Sequence, residues 1–212
     1  MRFSARMTTA CIMSFMLQGA LFGQACAAQG HDPDWPCIQR KVPELSLAQI
    51  WSGPELPAAA ERWEGDASVA RLVAEVSARR MPLPEAEQMI RDYAAKLTPD
   101  ERQAQLGKLM MGLFDEMNQE RSQVISGIGR YAHKQRDMAD ALRKEGSVVD
   151  ALRKETNVDP NEIAVRNDRL VFQTRIFQER VQSLTFVCEV PTLIEQRLYA
   201  LAKTISQTME DR

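Results

Sequence analysis

Two long stretches of this sequence repeat apolar residues every three to four positions, and each is opened by the same kind of start signal: Thr98-Pro99-Asp100-Glu101 in the first, Asp159-Pro160-Asn161-Glu162 in the second. Thr or Asp can accept from the first free helical amides, Pro suits the first helical position because its missing N–H has no partner there anyway, and an acid three residues on can bond back to the cap amide. Between them, Leu106, Met110, Leu113, Met117, Val124, Ile128, Tyr131, Met138 and Leu142 follow a period of roughly 3.5 residues, interrupted at Glu120 and Gln135. After the second signal, Leu170, Thr174, Phe177, Val181, Leu184 and Cys188 form a heptad seam that calls for a partner helix. The expected fold is therefore all-α, an elongated antiparallel helical hairpin or bundle whose long helices span about 99–145 and 161–190.

Local signals set the expected breaks. Gly107, Gly112, Gly127 and Gly129 each cost about 1 kcal/mol against Ala inside a helix, so a bend or close helix approach is expected near Gly127. Residues 140–145 and 150–155 are both Asp-Ala-Leu-Arg-Lys-Glu, with Gly146-Ser147 between them. Ten residues rotate a helix by about 80° short of full turns, so the copies would not share a face, and Gly146-Ser147 reads as a break at the hairpin tip. Val190-Pro191 is expected to kink or end the second long helix, since proline disfavours helical geometry in the residue before it. Ile194, Leu198, Leu201 and Ile205 then continue an apolar stripe as a C-terminal helix over about 191–208. Ahead of the hairpin, Val69, Leu72, Val73 and Val76 predict a short helix over about 66–80, and Met89, Ile90, Tyr93 and Leu97 another over about 84–97, completing a helical domain over 66–212. No window reads as a strand.

Residues 28–65 differ in kind. Pro33, Pro36, Pro43, Pro54 and Pro57 fall here, together with all three tryptophans, Trp35, Trp51 and Trp63. Proline at this density prevents a long helix, so the segment is expected to be an extended arm with one helical turn near Ser46 to Trp51, docked on the helical body through its aromatics. The same tryptophans are the candidates for contact with a partner.

The first 27 residues have the order of a signal peptide: basic Arg2 and Arg6, an apolar run from Met7 to Gly23, and small residues Ala25-Cys26-Ala27-Ala28, with cleavage expected after Ala27 or Ala28. The run is shorter than the ~20 residues of a bilayer span, so the processed protein is expected in the periplasm or medium with no stable membrane insertion. Formal net charge over 212 residues is -2, and losing Arg2 and Arg6 leaves about -4, which disfavours nucleic acid as a partner. Cys11 and Cys26 would leave with the leader. Cys37 and Cys188 then remain as an even pair in an oxidising compartment, and a disulfide between them is expected, placing the arm one turn before Pro191.

Reactive groups are sparse. No Cys-x-x-Cys-His, Cys-x-x-Cys, phosphate-binding Gly loop, His-Glu-x-x-His or Gly-x-Ser-x-Gly occurs, so no catalytic, cofactor or metal residue is nominated. His31 and His133 lie in different segments. Cleavage after Ala28 would give Gln29-Gly30-His31, whose amine, amides and imidazole can surround Cu(II) or Ni(II); Met110, Met111, Met117 and Met138 offer thioethers, though three of them follow the apolar seam.

Leu97-Thr98 before a charged amphipathic helix resembles the Leu-Thr-x-x-Gln motif of small periplasmic helical chaperones and metal-stress sensors, with Glu101 where that family has Gln. Helix capping accounts for these residues equally well, and no functional residue is carried over. The expectation is a non-enzymatic exported protein that binds another protein, as adaptor, accessory or holding chaperone. A periplasmic metal-binding or metal-sensing protein is the alternative. A long heptad seam pairs between two copies as readily as within one chain, so a homo-oligomer is also expected among the partners.

Overall fold

The computed structural model describes residues 32–210, and within them every regular element is helical. A single turn, α1 (Leu47–Ile50), and a 3-10 segment (Ala58–Gly65) interrupt the arm; α2 (Ala67–Ser77) and α3 (Leu83–Ala94) follow; α4 (Pro99–Leu152) and α5 (Pro160–Glu210) are the two long helices. The signal-peptide reading, with its cleavage site and the His31 terminus, lies outside the described residues.

Both start signals open helices, and at the first the Thr98 amide donates to the Glu101 carboxylate at 3.0 Å. At 54 residues, α4 is about 80 Å long. It and α5 run antiparallel along each other: Arg121 reaches Glu195, Tyr131 Oη donates to the Arg180 carbonyl, and Glu145 pairs with Arg166. The heptad seam of α5 is thus satisfied within the chain, although unevenly. Leu184 and Cys188 are buried, Leu170, Thr174 and Phe177 are half-covered, and Val181 is exposed.

Three sequence expectations are corrected. The first long helix does not break at Gly146-Ser147 but continues to Leu152, because Gly146 faces Leu170 of α5 (3.9 Å to a Cβ placed there) and the next turn buries Val149. That burial, worth about 1.5–3 kcal/mol, exceeds the glycine penalty. The second copy of the hexapeptide consequently straddles the end of α4. Pro191 does not separate two helices: α5 runs unbroken from 160 to 210 with Pro191 buried inside it. Proline leaves the Val187 carbonyl, four residues earlier, without its helical donor, and the neighbouring Cys188 carbonyl accepts from Gln39 Nε2 of the arm at 2.8 Å. The close approach falls not near Gly127, where a Cβ would meet only Arg130 at 3.8 Å, but at Gly112, where it would lie 2.6 Å from Val73 and 2.9 Å from Trp63. Ends of the short helices also differ, α2 stopping at Ser77 and α3 at Ala94.

The main core lies at the base of the hairpin. Leu106, Leu109, Met110, Leu113 and Met117 of α4 are completely buried against Leu198, Leu201 and Ile205 of α5, and α2 and α3 close the bundle with Val69, Val73, Val76, Ala86 and Ile90. Asp66 caps α2 through the amides of Ser68 and Val69 and also pairs with Lys108 at 2.9 Å. That lysine bond, then Ser68, holds the Asp66 carboxyl well below the usual carboxylate range. Arg197 of α5 turns its guanidinium onto the Val76 carbonyl near the end of α2 at 2.7 Å.

Candidate functional site

The arm is fixed by side chains of one face of α4. Asn118 Nδ2 donates to the Leu45 carbonyl while its Oδ1 accepts from the Leu45 amide, at 3.2 and 3.0 Å, so a side-chain amide completes an extended backbone in the manner of a neighbouring strand. Arg121 Nη1 donates to the Val42 carbonyl at 2.7 Å and Ser122 Oγ to the Pro43 carbonyl at 2.8 Å. Spacings of three and four residues put all three on the same stripe of the helix. Burial lowers the Arg121 pKa and Glu195, 3.4 Å away, opposes that shift. None of the three was nominated from sequence; polar residues at i, i+3 and i+4 within a seam were the available signal.

Further along, the arm crosses to the hairpin. Cys37 and Cys188 form a disulfide, with Cα atoms 5.5 Å apart and 151 residues of separation. Trp35 packs beside it on the small cluster of Ile128, Leu184 and Cys188, donates its indole N–H to the Gln39 carbonyl at 2.6 Å, and lies 5.9 Å beneath the Lys41 ammonium. Lys41 also bonds Asp32 at 2.7 Å, which lowers the Asp32 pKa. Asp34 takes Arg136 as an ion-pair partner, and His133 Nδ1 stands 3.3 Å from the same carboxylate. His133 thus ties the arm to α4 while more than half of its side chain remains exposed.

The other two tryptophans sit on the base. Trp51 donates to the Pro54 carbonyl at 2.8 Å and Trp63 to Asp115 at 2.9 Å, each half-covered by the main core. All three therefore make their N–H bonds within the chain, and the structure does not bring them together. One open groove lies around the disulfide. Pro36, Cys37 and Gln39 face Val181, Leu184 and Thr185 across a groove of about 580 Å³, and Ile38 stands at its rim with its side chain wholly in solvent.

Reactive chemistry does not converge. Among the described residues no group of three or more His, Cys, Asp or Glu side chains is placed to hold a metal ion. Met110 and Met117 are filled into the main core, and Met138 lies 3.8 Å from Arg180 Nη1. Also among the described residues, no helix is long and apolar enough to cross a membrane. Compared with the models of known families, with curated proteins and with solved structures, the chain matches none.

Proposed function

We propose that this chain is an exported, non-enzymatic helical protein that works by binding another protein, as an adaptor, accessory or holding chaperone. The observation that carries the reading is the groove at the arm–hairpin junction. Its lining is mostly apolar, with Gln39, Thr185 and Glu189 as the polar members, a disulfide fixes its two sides at a set distance, and Ile38 is held in solvent beside it. A fully exposed Ile on a short, fixed loop gains by about 1.5–3 kcal/mol when a partner covers it, at little ordering cost because the loop is already pinned. The occupant that suits such a groove is an apolar segment of a partner protein, inserted between residues 36–39 and the 181–185 turn of α5. The Cys37–Cys188 bond fits an oxidising compartment.

A photo-crosslinking side chain at position 38, followed by capture from periplasmic extract under several stresses, tests this. The expected product is a discrete adduct with a second protein that disappears when Val181→Asp is added. Recovery of the chain without any adduct, under every condition, contradicts the reading.

A further inference from the structure

The face of α5 turned away from α4 also carries an apolar stripe, flanked by exposed Asp168, Arg175 and Gln182. Val165, Phe172, Phe186 and Leu193 fall at intervals of seven, with only Glu179 interrupting, and their exposures are 54%, 64%, 72% and 55%. Seven residues turn a straight helix to within about 20° of the same direction, so these positions form one stripe nearly opposite the Leu170–Leu184 seam. By contrast, the α4 surface carries His133, Lys134, Arg136, Asp137, Arg143 and Lys144, all exposed. A helix that is apolar on two opposite faces is suited to lie between two partners. One is α4; the structure leaves the other face open.

The order of residues along the stripe identifies what fits it. Counted outward from Glu179, apolar residues stand at seven, eight and fourteen positions on both sides: Phe172, Val171 and Val165 towards the N-terminus, Phe186, Val187 and Leu193 towards the C-terminus. All six are exposed. A helix with this mirror order is its own complement when turned end for end, which is the requirement of an isologous two-fold interface. We propose that the outer face of α5 is a homodimer interface, in which a second copy packs antiparallel about an axis near Glu179.

The pairing then sets Phe172 against the partner's Phe186 and Val165 against the partner's Leu193 over about 42 Å of helix. Charge at the centre is balanced. Arg175 already pairs with Glu179 at 3.0 Å on its own helix, and near the axis each Arg175 stands about 6 Å along the helix from the other copy's Glu179. The strict seven-residue spacing is the one that keeps a stripe facing a supercoiled neighbour helix. Two Phe and four aliphatic side chains, each two-fifths or more exposed, offer on the order of 500–600 Å² per copy, so the pair reaches the lower edge of the 1,200–2,000 Å² that stable interfaces bury once flanking residues are included. The groove beside the disulfide draws on Val181, Leu184, Thr185 and Cys188 of the same helix, and the dimer stripe on Phe186, Val187 and Leu193.

Engineered cysteines on the purified protein test both the interface and its direction. Among the described residues both native cysteines are consumed in the 37–188 bond, Cys11 and Cys26 are replaced by Ser for the test, and positions 165 and 193 of one chain are too far apart to join. With the antiparallel pairing, Glu179→Cys crosslinks across the axis, Val165→Cys alone does not, and the double variant Val165→Cys with Leu193→Cys does. Phe172→Glu with Phe186→Glu, both on exposed positions, lowers dimer affinity by on the order of a hundredfold at unchanged helical content. A strictly monomeric mass for the unmodified protein at 100 µM in light scattering overturns the proposal. So does crosslinking of Val165→Cys alone at the yield of the double variant, which is the result for a parallel pair.

Discussion

The two ends of the α4–α5 hairpin are built from similar helices and held in different ways. At the base, Leu106 to Met117 and Leu198 to Ile205 lie in a multi-layer core that excludes water completely at most positions. Between residues 136 and 183 only Val149 is buried to that degree; the remaining contacts are half-covered side chains and ion pairs such as Glu145 with Arg166 at 2.9 Å. Two helices alone cannot surround the side chains between them, so the distal half gains little from burial, and exposed ion pairs add only a few tenths of a kcal/mol to about 1 kcal/mol. The disulfide and Trp35 mark the boundary between these regimes, where a small second cluster takes over from the main core. Stability is concentrated at one end of the hairpin, and the surface available to partners begins where the core stops.

The largest test of this contrast is a matched pair of truncations. Leu198→Ala, at a completely buried site in the base, is expected to cost about 3–4 kcal/mol in urea unfolding, and Leu170→Ala in the distal half about 1 kcal/mol or less. Equal costs at the two sites would remove the distinction. Next in size is the staple: replacing Cys37 and Cys188 together by Ser should cost about 2–4 kcal/mol, through a less restricted unfolded chain, and should increase protease access to residues 32–41 before the base unfolds. Gly112→Ala drives a methyl into Val73 and Trp63 and is expected to lower stability by about 1–3 kcal/mol, whereas Gly127→Ala, which meets only the end of a flexible arginine, should be neutral or stabilising.

The smallest effect has a pH signature. Asp66→Ala removes the α2 cap and the Lys108 pair, at a cost of about 1–2 kcal/mol at neutral pH. Because the folded-state pKa of Asp66 is depressed below 3.8, its contribution is fully present above about pH 4 and is lost as pH falls towards the folded value. The stability gap between the natural chain and Asp66→Ala, measured by denaturant titration, should therefore shrink below pH 4. A gap unchanged down to pH 2 would assign the effect to something other than the ionised carboxylate.

Long helices were legible because their signals are local and repeated: a cap, a proline at the first position, and a stripe sustained over many turns. Helix ends were less so. Gly146 and Pro191 carry intrinsic penalties that read as breaks, but both sit where residues distant in sequence approach the helix, Leu170 beside Gly146 and Gln39 donating to the Cys188 carbonyl in the turn before Pro191. The 3-10 segment over 58–65 gave no periodic signal at all, since it is held by Trp63 and Ala60 against α4 and not by its own pattern. The pairing of Cys37 with Cys188 was readable by elimination, once residues 1–27 are read as a leader that carries off Cys11 and Cys26. Asn118, Arg121 and Ser122 were not, because polar residues on a charged helix look like a solvated face until the arm is seen lying across them. Likewise the outer stripe of α5 is visible in the sequence as a second seven-residue series, but its meaning depends on knowing that the Leu170–Cys188 seam is already spent on α4.

Amide hydrogen exchange compares the two halves of the hairpin directly. Peptides from 105–117 and 194–205 should exchange only through global unfolding, while peptides from 136–152 and 160–178 exchange orders of magnitude faster in dilute protein and slow down as concentration rises and the α5 face becomes covered. Equal protection along the whole of α4 and α5, independent of concentration, would contradict an account in which the core ends at the disulfide and the distal half waits for a partner.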